Sequence, residues 1–213
     1  MKNIIIVCAG STALEVYSVI EIINAESVKI CGEPEYNILG FIEDNENTKL
    51  PDYVKSKILG RIKDWTPIGN EVYVMGNATP RVKENLSIML KARGCKFETI
   101  IAPYARVKNN VEIGEGCIIM SFTINSGAII GNFVNIQGSM IGGHAVIGDY
   151  STTLGFANIP SAKIGKRVYI ESHAVVLGSS VGDDAEVCVG SIVVSKVKAG
   201  TKVFGNPAKR VDW

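Results

Sequence analysis

The sequence predicts a parallel β-helix preceded by a small α/β domain, and three observations carry this prediction. An aliphatic residue followed by glycine recurs at one constant interval, at Ile113-Gly114, Ile130-Gly131, Ile147-Gly148, Ile164-Gly165 and Val181-Gly182. Between these pairs, other aliphatic residues fall five or six positions apart, a period that fits neither a helix nor an alternating strand. Residues 1–100, by contrast, alternate apolar runs with polar stretches and carry 13 acidic and 12 basic side chains. We therefore predict two domains, 1–100 and 101–213, in this 213-residue chain.

The first segment, "NIIIVCAGSTALEVYSVIEII", predicts a buried strand, a turn of small residues and a helix. This order places backbone N–H groups and a helix N-terminus at the carboxyl end of the strand, an arrangement that favours an anion. Ser11 or Thr12 is predicted to cap the helix. The turn retains only Gly10 of a dinucleotide-binding glycine pattern, so the sequence does not predict NAD binding.

The rest of the first domain also alternates predicted strands with turns and a helix. "YNILGFIEDN" predicts a strand that ends in Glu43 and Asp44, and "EVYVMGNATPRVKENLSIMLKARG" predicts a strand, a turn and a helix. "FETIIAP" then leads into the repeats. The order βαββαβ indicates a small open parallel sheet with a binding crevice at its strand ends.

A triangular coil explains the spacing of the aliphatic residues in the second domain. Three short strands per turn each point one aliphatic side chain inward, and glycine or asparagine relaxes the corners. Successive coils stack at about 4.8 Å, so equivalent residues form continuous columns. An antiparallel sandwich would instead need alternating strands and hairpin turns, which the pattern lacks.

The hexads "IGEGCI", "IGDYST", "IGKRVY" and "VGDDAE" resemble those of the left-handed β-helix acyltransferases called hexapeptide transferases. The ending "VCVGSIVVSKVKAGTKVFGNPAKRV" is similar to the closing motif that this family places near coenzyme A. The resemblance implies a left-handed β-helix with hexapeptide repeats, a homotrimer, and acetyl-CoA as acyl donor between adjacent β-helices, with no metal.

The resemblance also implies the residues that hold the donor. Glycines on the coil surface would let the pantetheine chain approach the backbone, and basic residues near the end of the chain would neutralise phosphates. The predicted cofactor-binding residues are Gly155, Gly178, Gly190, Lys196, Asn206, Pro207, Ala208, Lys209 and Arg210.

Together, the two halves resemble the NeuD/PglD group of bacterial sugar acyltransferases, in which a Rossmann-like N-terminal domain holds a nucleotide-linked sugar over the β-helix. The glycine-rich first turn, the acidic pair after the second strand and "MGNATPR" match that group. The resemblance therefore implies substrate contacts from Gly10, Ser11, Thr12, Glu43, Asp44, Gly76, Asn77 and Arg81.

A neutral stretch holds the candidate catalytic residues. Between Gly116 and Lys163 the only Asp, Glu, Lys or Arg is Asp149, and His144 lies shortly before it. Transfer of an acyl group to an amine needs a proton acceptor, and histidine is the natural one. We predict His144 as the base and Asp149 as its partner.

His144 departs from the family motif by one position. The family places the base immediately before a carboxylate, whereas "IGGHAVIG" has Gly143 at the position of the base. A one-residue shift turns a strand residue to the other face unless a corner absorbs it. Pro160, near where the family supplies a backbone N–H, has no such donor. His144 is thus the base at a shifted corner, an interface histidine, or a bystander in an enzyme without a residue base; His173 ranks below it.

The sequence therefore predicts an acetyl-CoA-dependent N-acetyltransferase that acts on a nucleotide-linked amino sugar in surface glycan synthesis. The alternatives are a sugar O-acetyltransferase of sialic-acid type and a noncatalytic trimeric binding protein. A net charge of +1 gives no reason to expect nucleic acid. Five cysteines without paired spacing are typical of a reduced, cytoplasmic protein, and no apolar run is long enough for membrane insertion.

Overall fold

The computed structural model describes residues 1–212, which form two compact units. The first unit contains residues 1–78 and 82–103, and the second contains residues 79–81 and those from 104 onward. No helix among the described residues is long and apolar enough to cross a membrane.

The first unit is built on a parallel sheet of four strands in the order β3-β2-β1-β4. The central strand β1 buries Ile4 to Val7 completely, as expected for a strand covered on both faces. The short strand β3 was not part of the predicted order. The elements are β1 (Lys2–Val7), α1 (Ser11–Cys31), β2 (Tyr36–Ile42), β3 (Ile58–Gly60), β4 (Val72–Met75) and α2 (Pro80–Ala92).

The segment that follows α2 runs alongside β4. The backbone N–H of Tyr73 donates to the carbonyl of Lys96 (2.8 Å), and the N–H of Glu98 donates to the carbonyl of Tyr73 (2.8 Å). Phe97 is thereby bridged in parallel to Tyr73. The predicted "FETIIAP" segment thus extends the parallel pairing beyond β4, although only as a single bridge.

The second unit is a β-helix, as predicted from the repeat. Its coils stack in the register of the aliphatic-glycine pairs, so that Ile130 pairs with Ile147, Ile147 with Ile164, and Ile164 with Val181. The strands of the coils are β6 (Arg106–Val107), β7 (Glu112–Ile113), β8 (Ile118–Met120), β9 (Thr123–Ile124), β10 (Ile129–Ile130), β11 (Asn135–Gln137), β12 (Met140–Ile141), β13 (Val146–Ile147), β14 (Thr152–Thr153), β15 (Asn158–Ile159), β16 (Lys163–Ile164), β17 (Tyr169–Ile170), β18 (Val175–Val176), β19 (Ser180–Val181), β20 (Glu186–Val187) and β21 (Ile192–Val193). The short strand β5 (Ile100–Ile101) precedes them, and β22 (Lys202–Gly205) and β23 (Ala208–Val211) follow as an antiparallel hairpin.

Left-handed backbone conformations mark the corners between the strands. The first corner is the column Asn110, Gly127, His144, Ser161 and Gly178, which all have positive φ and follow one another at the interval of one coil. The second corner is the column Gly116, Phe133, Tyr150, Arg167 and Asp184, and the third contains Gly138, Phe156, His173 and Gly190. Non-glycine residues rarely adopt this conformation, so its recurrence from coil to coil shows that the stacked coils impose it.

Candidate functional site

His144 lies at the first corner, between β12 and β13, with φ of +57° and an exposed side chain. Its backbone N–H donates to the carbonyl of Ser126 (3.3 Å), one coil below. The one-residue shift of His144 from the family motif does not turn its side chain into the coil, because His144 occupies a corner and not a strand. The corner presents the imidazole to solvent, in the middle of the neutral stretch.

The imidazole lies against Gly127, the corner residue one coil below. A Cβ atom built on Gly127 would come within 2.6 Å of His144 Nδ1 and 2.7 Å of Cε1. One coil above, the Ser161 hydroxyl donates to the carbonyl of Gly143 (2.8 Å). The candidate base is therefore held between two neighbours of its own corner column.

Asp149 lies next to the second corner, where its carboxylate contacts the coil below and the coil above. Its Oδ1 accepts from the backbone N–H of Asn132 (2.9 Å), and its Oδ2 pairs with the Lys166 ammonium (3.0 Å). Partial burial acts to raise the pKa of this carboxyl, but the hydrogen bond from Asn132 and the charge of Lys166 hold the pKa below its usual value. These contacts support a role for Asp149 in joining adjacent coils; its assignment as the partner of His144 stays a prediction.

Pro160 lies one coil above the glycine pair that precedes His144. A Cβ atom on Gly142 would approach the Pro160 Cα to 2.6 Å, so the two backbones are in close contact. The coil above His144 therefore presents a residue without an N–H at this point.

The second histidine, His173, lies at the third corner. Its ring stacks on Phe156 with centroids 5.1 Å apart, and Phe156 in turn lies 5.6 Å from Phe122. Phe122 and Phe156 are 50% and 59% exposed, so this aromatic column forms part of the surface. His144 makes no such stacking contact with the described residues, and its preference over His173 as the base stays a prediction.

The predicted crevice of the first unit would begin at the turn after β1. The helix α1 starts at Ser11, and its N-cap is Gly10, which makes no side-chain capping bond. The prediction that Ser11 or Thr12 caps the helix is therefore wrong, because both lie inside the first helical turn. No acidic residue occupies that first helical turn, although the Glu43 carboxylate contacts the backbone just before it.

Two acidic side chains after β2 accept hydrogen bonds from backbone N–H groups of the neighbouring loops. Glu43 accepts from the backbone N–H groups of Ala9 and Asn45 (both 2.9 Å), and Asp44 accepts from that of Lys63 (3.0 Å). Burial and the nearby Glu43 raise the pKa of the Cys8 thiol to about 12. The thiol therefore stays protonated and does not act as a nucleophile.

The loop after β4 closes the other side of the crevice. The N–H of Gly76 donates to the carbonyl of Val7 (2.9 Å), and the Asn77 amide approaches the Cys8 sulfur at 3.9 Å. Gly76 and Asn77 thus lie next to the first turn, and their contact with a substrate stays a prediction. Arg81 belongs to the second unit, where its guanidinium pairs with Asp184 (2.6 Å).

The predicted cofactor glycines lie on the coil surface. Gly178 belongs to the first corner, two coils above His144, and Gly190 belongs to the third. A Cβ atom on Gly155, Gly178 or Gly190 would meet nothing within 4 Å, so each leaves an open surface.

The closing motif forms the hairpin of β22 and β23. Asn206 and Pro207 make its turn, while Lys209 and Arg210 are exposed on β23. Arg210 pairs with Asp212 (2.8 Å), and Lys196 and Lys209 of the predicted set are also exposed. Among residues 1–212, no group of three or more His, Cys, Asp or Glu could hold a metal ion, and all five cysteines are free.

Sequence reasoning missed Gly127 and Ser161. Both occupy the position in the repeat that is equivalent to His144, one coil before it and one coil after it, so the repeat that predicted the fold also carried the signal for its neighbours. The proximity of both residues to His144 becomes visible only once the corner residues are assigned.

Curated relatives match part of this chain. GlmU, a bifunctional protein, from Aquifex aeolicus is 28% identical over 137 residues, which cover 54% of this chain and 27% of that protein. GlmU from Clostridium beijerinckii is 35% identical over 91 residues, 42% of this chain and 20% of that protein. The chain thus spans about a quarter or less of these relatives, and no family model matches it.

Solved structures match the whole chain. Perosamine N-acetyltransferase from Caulobacter crescentus, solved with CoA and GDP-perosamine, has a TM-score of 0.81 at 19% identity and covers 100% of this chain and 98% of its own. The acetyltransferase domain of PglB from Neisseria gonorrhoeae has a TM-score of 0.82 at 17% identity, covering 99% and 100%. WeeI from Acinetobacter baumannii has a TM-score of 0.71 at 24% identity, again over 99% and 100%.

These structural matches extend over both units of the chain, and about half of the chain also matches relatives by sequence. The predicted resemblance is confirmed at the level of architecture: this chain has the fold of the hexapeptide-repeat acetyltransferases.

Proposed function

We propose that this protein is an acetyl-CoA-dependent N-acetyltransferase that acts on a nucleotide-linked amino sugar in surface glycan synthesis. The observation that carries the proposal is the exposed His144 at a corner in the nearly uncharged stretch of the β-helix, in a chain whose fold matches perosamine N-acetyltransferase along its entire length. That relative was solved with CoA and GDP-perosamine, a nucleotide-linked sugar.

In the proposed reaction, the amine nitrogen of the sugar attacks the thioester carbonyl carbon of acetyl-CoA. His144 accepts the proton that the nitrogen loses as the C–N bond forms. The tetrahedral intermediate then collapses with cleavage of the C–S bond, and the CoA sulfur leaves as a thiol after taking a proton. The products are the acetamido sugar and CoA, and His144 returns to its neutral state.

The remaining assignments follow from the two units. The first unit serves as a Rossmann-like domain, in which the turn of Gly10, Ser11 and Thr12 offers N–H groups and a helix N-terminus to the nucleotide phosphates. Acetyl-CoA lies along the coils of a left-handed β-helix. Gly178 gives its pantetheine chain room about 10 Å above His144, the height of two coils, and Lys196 and Lys209 contact its phosphates.

A homotrimer is the assembly that the coil surface favours. One sheet of the β-helix turns Met140, Asn158, Val175 and Ile192 outward, and we call these four residues the neutral face. At its margin the exposed apolar side chains include Leu177 at 48% and Val194 at 56%. An uncharged apolar surface of this kind is typical of an interface between subunits.

The test is release of CoA from acetyl-CoA, followed with a thiol reagent, against GDP-, UDP- and dTDP-linked amino sugars and their hydroxyl counterparts. We expect turnover with an amino sugar and a loss of about 100-fold or more in kcat for His144→Ala, since general-base catalysis contributes about 10²–10⁴-fold. His173→Ala, which removes the other histidine, should lose much less.

The alternatives give different results in the same assay. Turnover with hydroxyl sugars alone would identify an O-acetyltransferase, and absence of both turnover and calorimetric acetyl-CoA binding would identify a noncatalytic protein. Equal losses for His144→Ala and His173→Ala would remove His144 as the base.

A further inference from the structure

We infer that Gly127 is a positioning residue for His144: its lack of a side chain lets the imidazole lie against the coil below, with Nε2 directed outward. The inference rests on the proposed function for its catalytic consequence, but the geometry belongs to the first corner alone. It concerns a residue one coil away from the reacting atoms.

The contact defines which edge of the imidazole is available. The three ring atoms nearest a Cβ on Gly127 would be Nδ1 at 2.6 Å, Cε1 at 2.7 Å and Cγ at 3.5 Å. Nε2 and Cδ2 are therefore farther away than the Nδ1–Cε1 edge. The Nδ1–Cε1 edge faces the coil, and Nε2 is the nitrogen left to face a substrate.

A methyl group on Gly127 is incompatible with this ring position. Carbon atoms at van der Waals contact are about 3.5–4.0 Å apart, so a Cβ this close to the ring would force the ring to move by about 1 Å. Displacements of that size at a reacting group cost about 100-fold in rate.

The backbone of the corner is held from above as well. Ser161 donates to the carbonyl of Gly143, the residue just before His144, and the N–H of His144 donates downward to Ser126. Gly127 thus positions the ring, while Ser161 fixes the peptide that carries it. The two contacts act through different groups, so they can be tested separately.

The second corner offers a matched control. Gly116 also has positive φ (+65° against +73° for Gly127), and a Cβ there would come within 2.5 Å of the Phe133 ring. Gly116→Ala therefore introduces the same backbone strain and the same kind of ring clash at a corner without His144. Gly200→Ala, with φ of +65° and nothing within 4 Å, adds the strain alone.

The experiment compares Gly127→Ala, Gly116→Ala, Gly200→Ala and Ser161→Ala in the CoA-release assay and by NMR of the histidine rings, with His144 signals assigned through their loss in His144→Gln. We expect Gly127→Ala to lower kcat about 10–100-fold with little change in KM, to shift the acid limb of the kcat pH profile and to move the His144 ring resonances. Ser161→Ala, which introduces no left-handed strain, should lower kcat by a smaller factor with the same pH shift. Both control glycine variants should keep the kcat and the His144 resonances of the unmodified protein.

Several results would overturn the inference. Unmoved His144 resonances in Gly127→Ala, an unchanged kcat, or an equal loss in Gly116→Ala would each do so. If Gly127→Ala fails to fold while Gly116→Ala folds, Ser161→Ala decides the question by its pH profile and ring resonances. If the unmodified protein shows no turnover but Gly127→Ala still moves the His144 ring, the positioning stands and the proposed function fails.

Discussion

At the residue scale, the inward-facing column of the β-helix includes a buried hydroxyl that no described residue satisfies. Thr153 occupies the inward column between Ile136 and Ile170, is fully buried, and its hydroxyl has no hydrogen-bond partner among the described residues. A buried hydroxyl without a partner costs about 1–3 kcal/mol by mutational measures. The repeat predicted an aliphatic residue in this column, so Thr153 breaks the local pattern.

Replacing this hydroxyl by a methyl group should stabilise the protein. We expect Thr153→Val, which keeps the side-chain shape, to raise the free energy of unfolding by about 1 kcal/mol. Denaturant unfolding measures the change. Ser151→Ala is the control, and it should lower the free energy of unfolding. The buried Ser151 hydroxyl donates to the carbonyl of Gly165 (2.7 Å) and accepts from the N–H of Val168 (3.0 Å), so its removal breaks two hydrogen bonds. A loss of stability in Thr153→Val would show that its hydroxyl has a partner.

The depressed pKa of Asp149 predicts a pH-dependent contribution to stability. A carboxyl whose pKa is lower in the folded state stabilises the protein above its unfolded pKa of about 3.9, and this contribution disappears as the pH falls through the folded value. We therefore expect Asp149→Asn to be less stable than the unmodified protein by about 1 kcal/mol near pH 7. The difference should shrink below about pH 4. Unfolding curves at several pH values test this, and a difference that stays constant from neutral to acidic pH would contradict it.

At the element scale, the crevice of the first unit depends on how closely β4 approaches α1. A Cβ atom on Gly76 would lie 2.6 Å from the Ala13 Cβ and 2.7 Å from the Val7 carbonyl oxygen. Strand β1 lies between β2 and β4, and the turns after β1 and β4 meet at this contact. Glycine at position 76 therefore allows the two turns to come this close.

Gly76→Ala should disturb the first unit. The extra methyl group has backbone on one side and the first turn of α1 on the other, so we expect a loss of about 1–3 kcal/mol in stability. Hydrogen exchange should show the loss in β1, β4 and α1, with the coils of the second unit unchanged. Uniform loss across both units would contradict a local effect.

At the scale of the whole molecule, the proposed trimer makes the neutral face a buried surface. Met140 is 40% exposed at one end of that face, and a charge there would be left without a partner in a trimer. We expect Met140→Lys to yield smaller species by light scattering and to lose activity with them, because acetyl-CoA is proposed to lie between subunits.

The matched control for the trimer is a lysine on a different sheet. Ile129 is 43% exposed and points outward from β10, which belongs to another side of the coil. Ile129→Lys should leave the assembly intact. If both lysine variants or neither of them dissociate the protein, the neutral face is not the interface.

The sequence by itself determined the β-helix, the length of its coil, the parallel sheet of the first unit and the exceptional position of His144. These properties follow from local patterns, since periodic aliphatic residues fix which side chains point inward and a run of uncharged residues is visible without coordinates. The same patterns failed at the start of α1, which Gly10 caps rather than Ser11 or Thr12. The pairing of Asp149 with His144 stays a prediction.

Only the tertiary structure decided what surrounds the candidate base. The corner conformation of His144 and its contact with Gly127 arise where one coil stacks on the next, because backbone hydrogen bonds between coils hold a non-glycine residue in a left-handed conformation. Sequence spacing locates the coil, but the direction of a side chain at a corner depends on backbone angles that neighbouring coils impose.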